Sequence, residues 1–267
     1  MRRIAIVIAI LAVSSCNFPL PQTAEPRIPA LPTNPPDPTL EPTETPEALE
    51  EALLILEPGP GSRLTSPLHI AGFADPTFEQ NLGVRIVFDD GTVLILQPAT
   101  IAADLGMRGP FEVDIPFTLA EERNALIQVY DSSARDGGIT HLASVGVILA
   151  PDGEAEIRAV VAQAEWIVIH EPEQGQTLAG GSVHVEGMGR ASFEGTLVVE
   201  VYNLEGNLVG SQTLLVASAE MGELGNFSVD VAYDTEVAGP GRVVVLDPLP
   251  VFDGLGHIAS VEVNLEP

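Results

Sequence analysis

The sequence predicts an all-β chain: two tandem β-sandwiches after a signal peptide and a disordered proline-rich stalk. Three observations predict it. The last four fifths of the 267 residues is one module written twice. Each copy carries seven short runs with the period-two patterning of half-buried strands. The first fifty residues hold no such pattern, and ten of the 23 prolines lie between Pro19 and Pro46.

The duplication is visible residue by residue. Gly106, Gly109, Phe111, Val113, Asp114 and Phe117 recur as Gly222, Gly225, Phe227, Val229, Asp230 and Tyr233, at a constant offset of 116. His141-Leu142-Ala143-Ser144-Val145 recurs as His257-Ile258-Ala259-Ser260-Val261 at the same offset. Gly72 and Phe78 recur as Gly187 and Phe193 at offset 115, and Glu57-Pro58 as Glu171-Pro172 at offset 114. Offsets that drift by a residue or two mean the same strands in the same order with small loop changes. Copies of this size are tandem globular domains rather than short solenoid units.

The N-terminus, residues 1–15, reads as a signal peptide: Met1-Arg2-Arg3, an apolar run from Ile4 to Val13, then small residues. The apolar run rises only ~15 Å as a helix, too little for the ~30 Å hydrocarbon core. Val13-Ser14-Ser15-Cys16 looks like a bacterial lipobox, with Cys16 as the lipidation site. Cys16 is the chain's one cysteine, so no disulfide forms within a chain and the domains rest on apolar packing. Residues 16–51 form the stalk, in which proline removes amide donors and fixes φ. Thirty such residues at ~3.1 Å each reach roughly 90 Å. One or two helical turns are expected over Glu47–Leu54.

Copy one, residues 52–150, has strand-like runs at Leu53–Leu56, Leu68–Phe73, Val84–Phe88, Val93–Leu96, Phe111–Phe117, Ala125–Asp131 and Leu142–Leu149. Copy two, residues 166–267, repeats them at Trp166–Ile169, Val183–Gly187, Leu197–Asn203, Leu208–Val216, Phe227–Tyr233, Arg242–Asp247 and His257–Leu265. Asp89-Asp90-Gly91 and Glu205-Gly206-Asn207 join the third and fourth runs as hairpin turns, where glycine supplies positive φ. Seven short strands per hundred residues give an immunoglobulin-like sandwich without the Cys–Trp–Cys pin. The linker, residues 151–165, has helical spacing at Ile157, Val160, Val161 and Ala164, although the valine pair equally favours an extended course. A linker this short is expected to set the two domains end to end.

Formal charge is -27, and there is no lysine. Loss of Arg2 and Arg3 takes the mature chain to about -29 (-27 minus 2). Such acidity repels nucleic acid and anionic headgroups and keeps a surface protein soluble. Absence of lysine removes Schiff-base chemistry, a phosphate-loop lysine and Lys–Asn isopeptide staples.

The ordered set Glu57-Pro58-Gly59-Pro60-Gly61-Ser62, Ile70-Ala71-Gly72-Phe73-Ala74, Phe78-Glu79 and Gly109-Pro110-Phe111 resembles the immunoglobulin-like domain of bacterial spore-germination proteins. Copy two repeats the set at Glu171-Pro172-Glu173-Gln174-Gly175, Val185-Glu186-Gly187, Phe193-Glu194 and Gly225-Asn226-Phe227. The late Asp131…Asp136-Gly137 and Asp247…Asp253-Gly254 fit as well. The resemblance spans nearly all of both copies. It implies an envelope-associated binding or scaffold module and transfers no catalytic residue.

Weighed singly, the repeated residues read as structural. Gly72 and Gly187 suit a bulge or a close approach of neighbouring backbone. Phe78, Phe193, Phe111 and Phe227 read as core plugs. His141 and His257 recur, but neither copy offers a second histidine or cysteine at ligand spacing; His69, His184 and His170 stand on other strands, and no metal ligand is assigned. Asp131, Asp136, Asp247 and Asp253 lie beside glycines, as in a calcium loop or in ordinary turn capping. No nucleophile elbow, phosphate loop or carboxylate pair is evident, so no catalytic residue or cofactor is assigned and the chain is not read as an enzyme.

The expectation is a non-catalytic lipoprotein on the bacterial cell surface, held to the membrane through Cys16 and binding or spacing an unknown envelope protein or polysaccharide. One alternative is a carbohydrate or peptidoglycan binder, which needs an exposed aromatic platform among Trp166, Tyr130 and Tyr202. Others are a calcium-stiffened adhesin and a secreted hydrolase with a polar pocket.

Overall fold

The computed structural model describes residues 50–160, 164–252 and 254–267. The residues read as a signal peptide, Cys16, nearly all of those read as a stalk, Val161 and Asp253 lie outside the described residues. Copy one folds as β1 (Leu53–Glu57), β2 (Arg63–Leu64), β3 (Leu68–Ala74), β4 (Asn81–Phe88), β5 (Val93–Thr100), β6 (Gly109–Ile115), β7 (Arg123–Ser132) and β8 (Ile139–Leu149). Copy two repeats the series as β9 (Ile167–Glu171), β10 (Thr177–Leu178), β11 (Ser182–Gly189), β12 (Thr196–Asn203), β13 (Leu208–Leu215), β14 (Gly225–Ala232), β15 (Gly239–Leu249) and β16 (Gly254–Leu265).

Both copies have one topology, that of an immunoglobulin-like sandwich. The sheet β1-β3-β6 faces β8-β7-β4-β5 in copy one, and β9-β11-β14 faces β16-β15-β12-β13 in copy two. The two-residue strands β2 and β10 run parallel beside β8 and β16. Alternation explains the layers. Leu68, Ile70, Phe111 and Ile115 point inward from one sheet and meet Ile86, Ile127 and Val145 from the other. Val183, Val185, Phe227 and Val231 meet Val199, Val243 and Val263 in the second copy. Each such side chain contributes ~1.5–3 kcal/mol through burial. The turns at Gly91 (φ 78°) and Gly206 (φ 77°) close the β4–β5 and β12–β13 hairpins as the sequence predicts.

Gly72 and Gly187 lie inside β3 and β11. A Cβ there would come 2.1 Å from the Leu54 carbonyl oxygen or 2.0 Å from that of Val168, and would enter the ring of Phe111 or Phe227. The repeated Gly–Phe pair is therefore one packing unit: the missing side chain lets the neighbouring strand and the aromatic ring close in. Phe78 and Phe193 correct the core-plug expectation, being 60 % and 44 % exposed. They stand at the turns before β4 and β12, outside the alternating strand pattern that would have buried them.

The end-to-end arrangement is also corrected. The copies lie side by side, because β8 and β16 pair antiparallel, with Leu142 opposite Ile258 and His141 opposite Ala259. One continuous sheet results, in the order β13-β12-β15-β16-β8-β7-β4-β5. The outward faces of its central strands are apolar and cannot be left in water. Leu142, Val244, Leu246 and Ile258 are buried there, with Tyr130, Ile139, Val198, Tyr202 and Leu255 packed against them. The described linker residues run extended: Glu156 pairs with Arg63, and the Gly59 N–H donates to the Arg158 carbonyl. Residues Glu50–Ala52 are likewise not helical. The outer edges of the continuous sheet are β5 and β13.

Candidate functional site

The seam has a hidden twofold symmetry. Leu142 pairs with Ile258, its own counterpart 116 residues on. Glu50 forms a β-bridge with Ala164, its own counterpart 114 residues on. A residue that pairs with its copy marks a local twofold axis, the geometry of an isologous dimer interface folded within one chain. Next to these two self-pairings stand Glu51 and its counterpart Glu165, and His141 and its counterpart His257. Four polar side chains from four different strand ends thus converge between the copies.

Their surroundings break the symmetry. His257 is largely but not fully buried; its ring stacks on Trp166 at 4.1 Å between centroids with 8° between planes. Its Nδ1 lies 3.6 Å from Asp247 Oδ2. Burial is the main cause that holds the His257 pKa below the usual imidazole value, against the pull of Asp247. Asp247 is fully buried and saturated: the Trp166 indole N–H donates to Oδ2 at 3.1 Å, the Ser192 N–H donates to Oδ1 at 2.8 Å, and the Ser192 hydroxyl donates to Oδ2. In copy one Ala52 replaces Trp166, so no ring pins His141. His141 Nε2 lies instead 3.2 Å from Glu165 Oε1.

Glu165 Oε2 accepts the Ala52 N–H at 2.7 Å. The symmetric Trp166 N–H faces Glu51 but lacks hydrogen-bond geometry. Both Glu51 carboxylate oxygens, at a residue 3 % exposed, accept no hydrogen bond among the described residues. Desolvation first, then the charge of Glu165, push the Glu51 pKa up to about 9. Glu165 moves the other way. Burial opposes its ionisation, but His141, the Ala52 amide and His257 outweigh burial and keep it a carboxylate. Ligand atoms of Glu51, His141 and Glu165 all lie within 4.8 Å of one another, a set that could hold a metal ion. A cleft of about 330 Å³ opens beside them, lined by Glu51, Leu54, Leu126, Trp166, Phe252 and His257.

A second polar group clamps the opposite side of the seam. Arg242, nearly buried, donates through Nη2 to both Asp136 oxygens at 2.7 and 3.0 Å, and through Nη1 to Ser260 Oγ at 3.2 Å. Glu262 accepts from Arg242 and from the Ser133 hydroxyl. The β7–β8 loop of copy one is thereby fixed to β15 and β16 of copy two.

Of the aspartates named for a calcium loop, Asp253 lies outside the described residues and the other three are each taken up by separate partners. Asp131 accepts the Thr140 hydroxyl, Asp136 is taken by Arg242 and the Gly138 amide, and Asp247 by Trp166 and Ser192. Trp166, Tyr130 and Tyr202 are half-buried at the seam and form no exposed platform. His69 and His184 pair with Asp114 and Asp230 on the open faces of β3 and β11, and His170 is exposed on β9. Cys16 lies outside the described residues. Glu51 and Glu165 were missed because each stands at the end of a segment read as stalk or linker. The signal that would have found them is the same offset of 114 that relates Glu57-Pro58 to Glu171-Pro172.

The immunoglobulin-like domain of bacterial spore germination matches the chain twice, over residues 52–138 and 166–249. The chain belongs to that family. Both matches fall on the sandwiches, so the resemblance seen in the Glu-Pro, Gly-Phe and Phe-Glu motifs is a family relationship. Comparison with curated proteins finds no match. The two matched domains of this chain are the frame within which the seam site is set.

Proposed function

We propose that this chain is a non-catalytic, lipid-anchored protein of the bacterial cell envelope whose paired immunoglobulin-like domains form a rigid binding and spacing module. One observation carries the binding role: β5 and β13, the two outer edges of the continuous sheet, contain no charged residue in a chain of net charge -27. Open edges are ordinarily protected by charge or cover, because their free amides and carbonyls recruit further strands. Here Leu96 on β5 and Leu215 on β13 stand 65 % and 71 % exposed. An extended segment of an envelope protein could add to either edge, its backbone giving affinity and its alternate side chains giving selectivity. The seam supports the spacing role, since it fixes both edges on one body.

The anchor rests on the Val13-Ser14-Ser15-Cys16 motif and the proline-rich stretch after it. Among the described residues no helix is long and apolar enough to cross a membrane. Labelled palmitate should enter the wild-type chain and fail to enter Cys16→Ala; equal labelling of both removes the anchor. For binding, the full chain carrying Leu96→Lys and Leu215→Lys should keep its melting temperature and lose capture of an envelope polypeptide. Unchanged capture by the double variant would rule out strand addition.

A further inference from the structure

We propose that Glu51, His141 and Glu165 form a site for one divalent transition-metal ion, of the Zn²⁺ type, that bolts the two domains together. The proposal stands on geometry. One imidazole and two carboxylates bring their ligand atoms within 4.8 Å of one another. Both Glu51 oxygens are buried and accept no hydrogen bond among the described residues, and Glu165 Oε1 is likewise without one although it lies 3.2 Å from His141 Nε2. Buried carboxylate oxygens without donors are costly, and a cation is the ligand that satisfies several at once.

The donor set selects the ion. Imidazole disfavours calcium and magnesium, which take oxygen ligands, whereas nitrogen with carboxylate oxygen suits zinc and its neighbours. Three protein ligands leave a further coordination position for water. The supporting shell is in place: the Ala52 N–H donates to Glu165 Oε2 and orients that carboxylate. Glu51, one of the three ligands, also lines the cleft. Glu51 precedes β1, His141 lies on β8 and Glu165 precedes β9, so the bound ion would tie copy one to the start of copy two.

The test uses the full chain, stripped with EDTA, titrated with Zn²⁺ and separately with Co²⁺. One Zn²⁺ should bind per chain, with a melting temperature that climbs with Zn²⁺ concentration. Co²⁺ should give a visible d–d band and broaden the His141 imidazole resonances in NMR spectra. Glu51→Gln, nearly the same shape, should weaken Zn²⁺ binding by about tenfold or more. His141→Asn should remove the Co²⁺ band. Failure of wild type to bind Zn²⁺ stoichiometrically would overturn the proposal, as would wild-type affinity in Glu51→Gln. The NMR readout on wild type needs no variant: broadening spread over surface carboxylates, with His141 unaffected, would mean adventitious binding and also overturn it.

Discussion

His69 and His184 occupy the same place in the two copies, each bonded across its strand pair to an aspartate, Asp114 at 2.8 Å and Asp230 at 2.7 Å. The bond to Asp230 is the main cause that raises the His184 pKa above its ordinary 6.5. The protonated ring is favoured in the fold, so the pair's contribution is complete below pH 6.5 and is lost as pH rises through the raised value. His184 is exposed, and its contribution to stability is small. An NMR titration should show the His184 pKa fall in Asp230→Asn; an unchanged value would contradict the pairing. Glycine has a sharper role. Gly72→Ala or Gly187→Ala drives a Cβ into a neighbouring carbonyl and should cost about 1–3 kcal/mol in denaturant unfolding. Gly146→Ala, where a Cβ meets nothing within 4 Å, should be neutral or stabilise by about 0.4–1 kcal/mol. The offsets relate Gly72 to Gly187 and Phe111 to Phe227, but the contact of each glycine with its phenylalanine is a cross-strand pairing that only the β3–β6 and β11–β14 registers reveal. Phe78 and Phe193 shared the same repetition yet sit in water, because repetition marks a common place in the fold and does not say which way a side chain points.

At the scale of elements, β8 and β16 do two jobs. Each closes its own sandwich with one face and meets its copy with the other. Leu142 is fully buried at that meeting, and Leu142→Ala should cost about 2–5 kcal/mol, read as a lowered denaturation midpoint at constant slope. The seven runs of each copy were legible in order and type, because alternation and turn glycines are local signals. β2 and β10 were not, since two residues are too few to show a period. Pairing of β8 with β16 was hidden for another reason. Strand patterning tells which face is apolar, and the outward Leu142, Val244 and Ile258 read as ordinary strand residues until the partner sheet is in place. Trp166 was read as the first residue of a strand; it stands just before β9, free to turn its ring onto His257.

The whole molecule is a duplicated fold that has become its own dimer. The seam collects titratable groups that neither sandwich contains alone: Glu51 faces Glu165, with Arg190 and Arg108 pulling its pKa the other way, while Glu165 faces His141 and His257. A search for ligands within one copy could not find the site, because its members come from both. Its pH signature follows from Glu51. The folded chain keeps a proton on Glu51 up to about 9, while the unfolded chain releases it near 4.5, so stability falls as pH rises across that window. His257 has the opposite tendency, resisting protonation in the fold, and its effect is confined below its unfolded value of 6.5. Between about pH 7 and 9, in EDTA, wild type should therefore lose stability with rising pH while Glu51→Gln stays flatter; parallel curves would remove Glu51 from the account.

The β8–β16 seam makes the two immunoglobulin-like domains one body. Residual dipolar couplings measured in a single alignment medium test it directly. Couplings from residues 53–149 and from 167–265 should fit one alignment tensor with the relative orientation that the β8–β16 pairing sets. Two tensors of different magnitude, one for each domain, would contradict it.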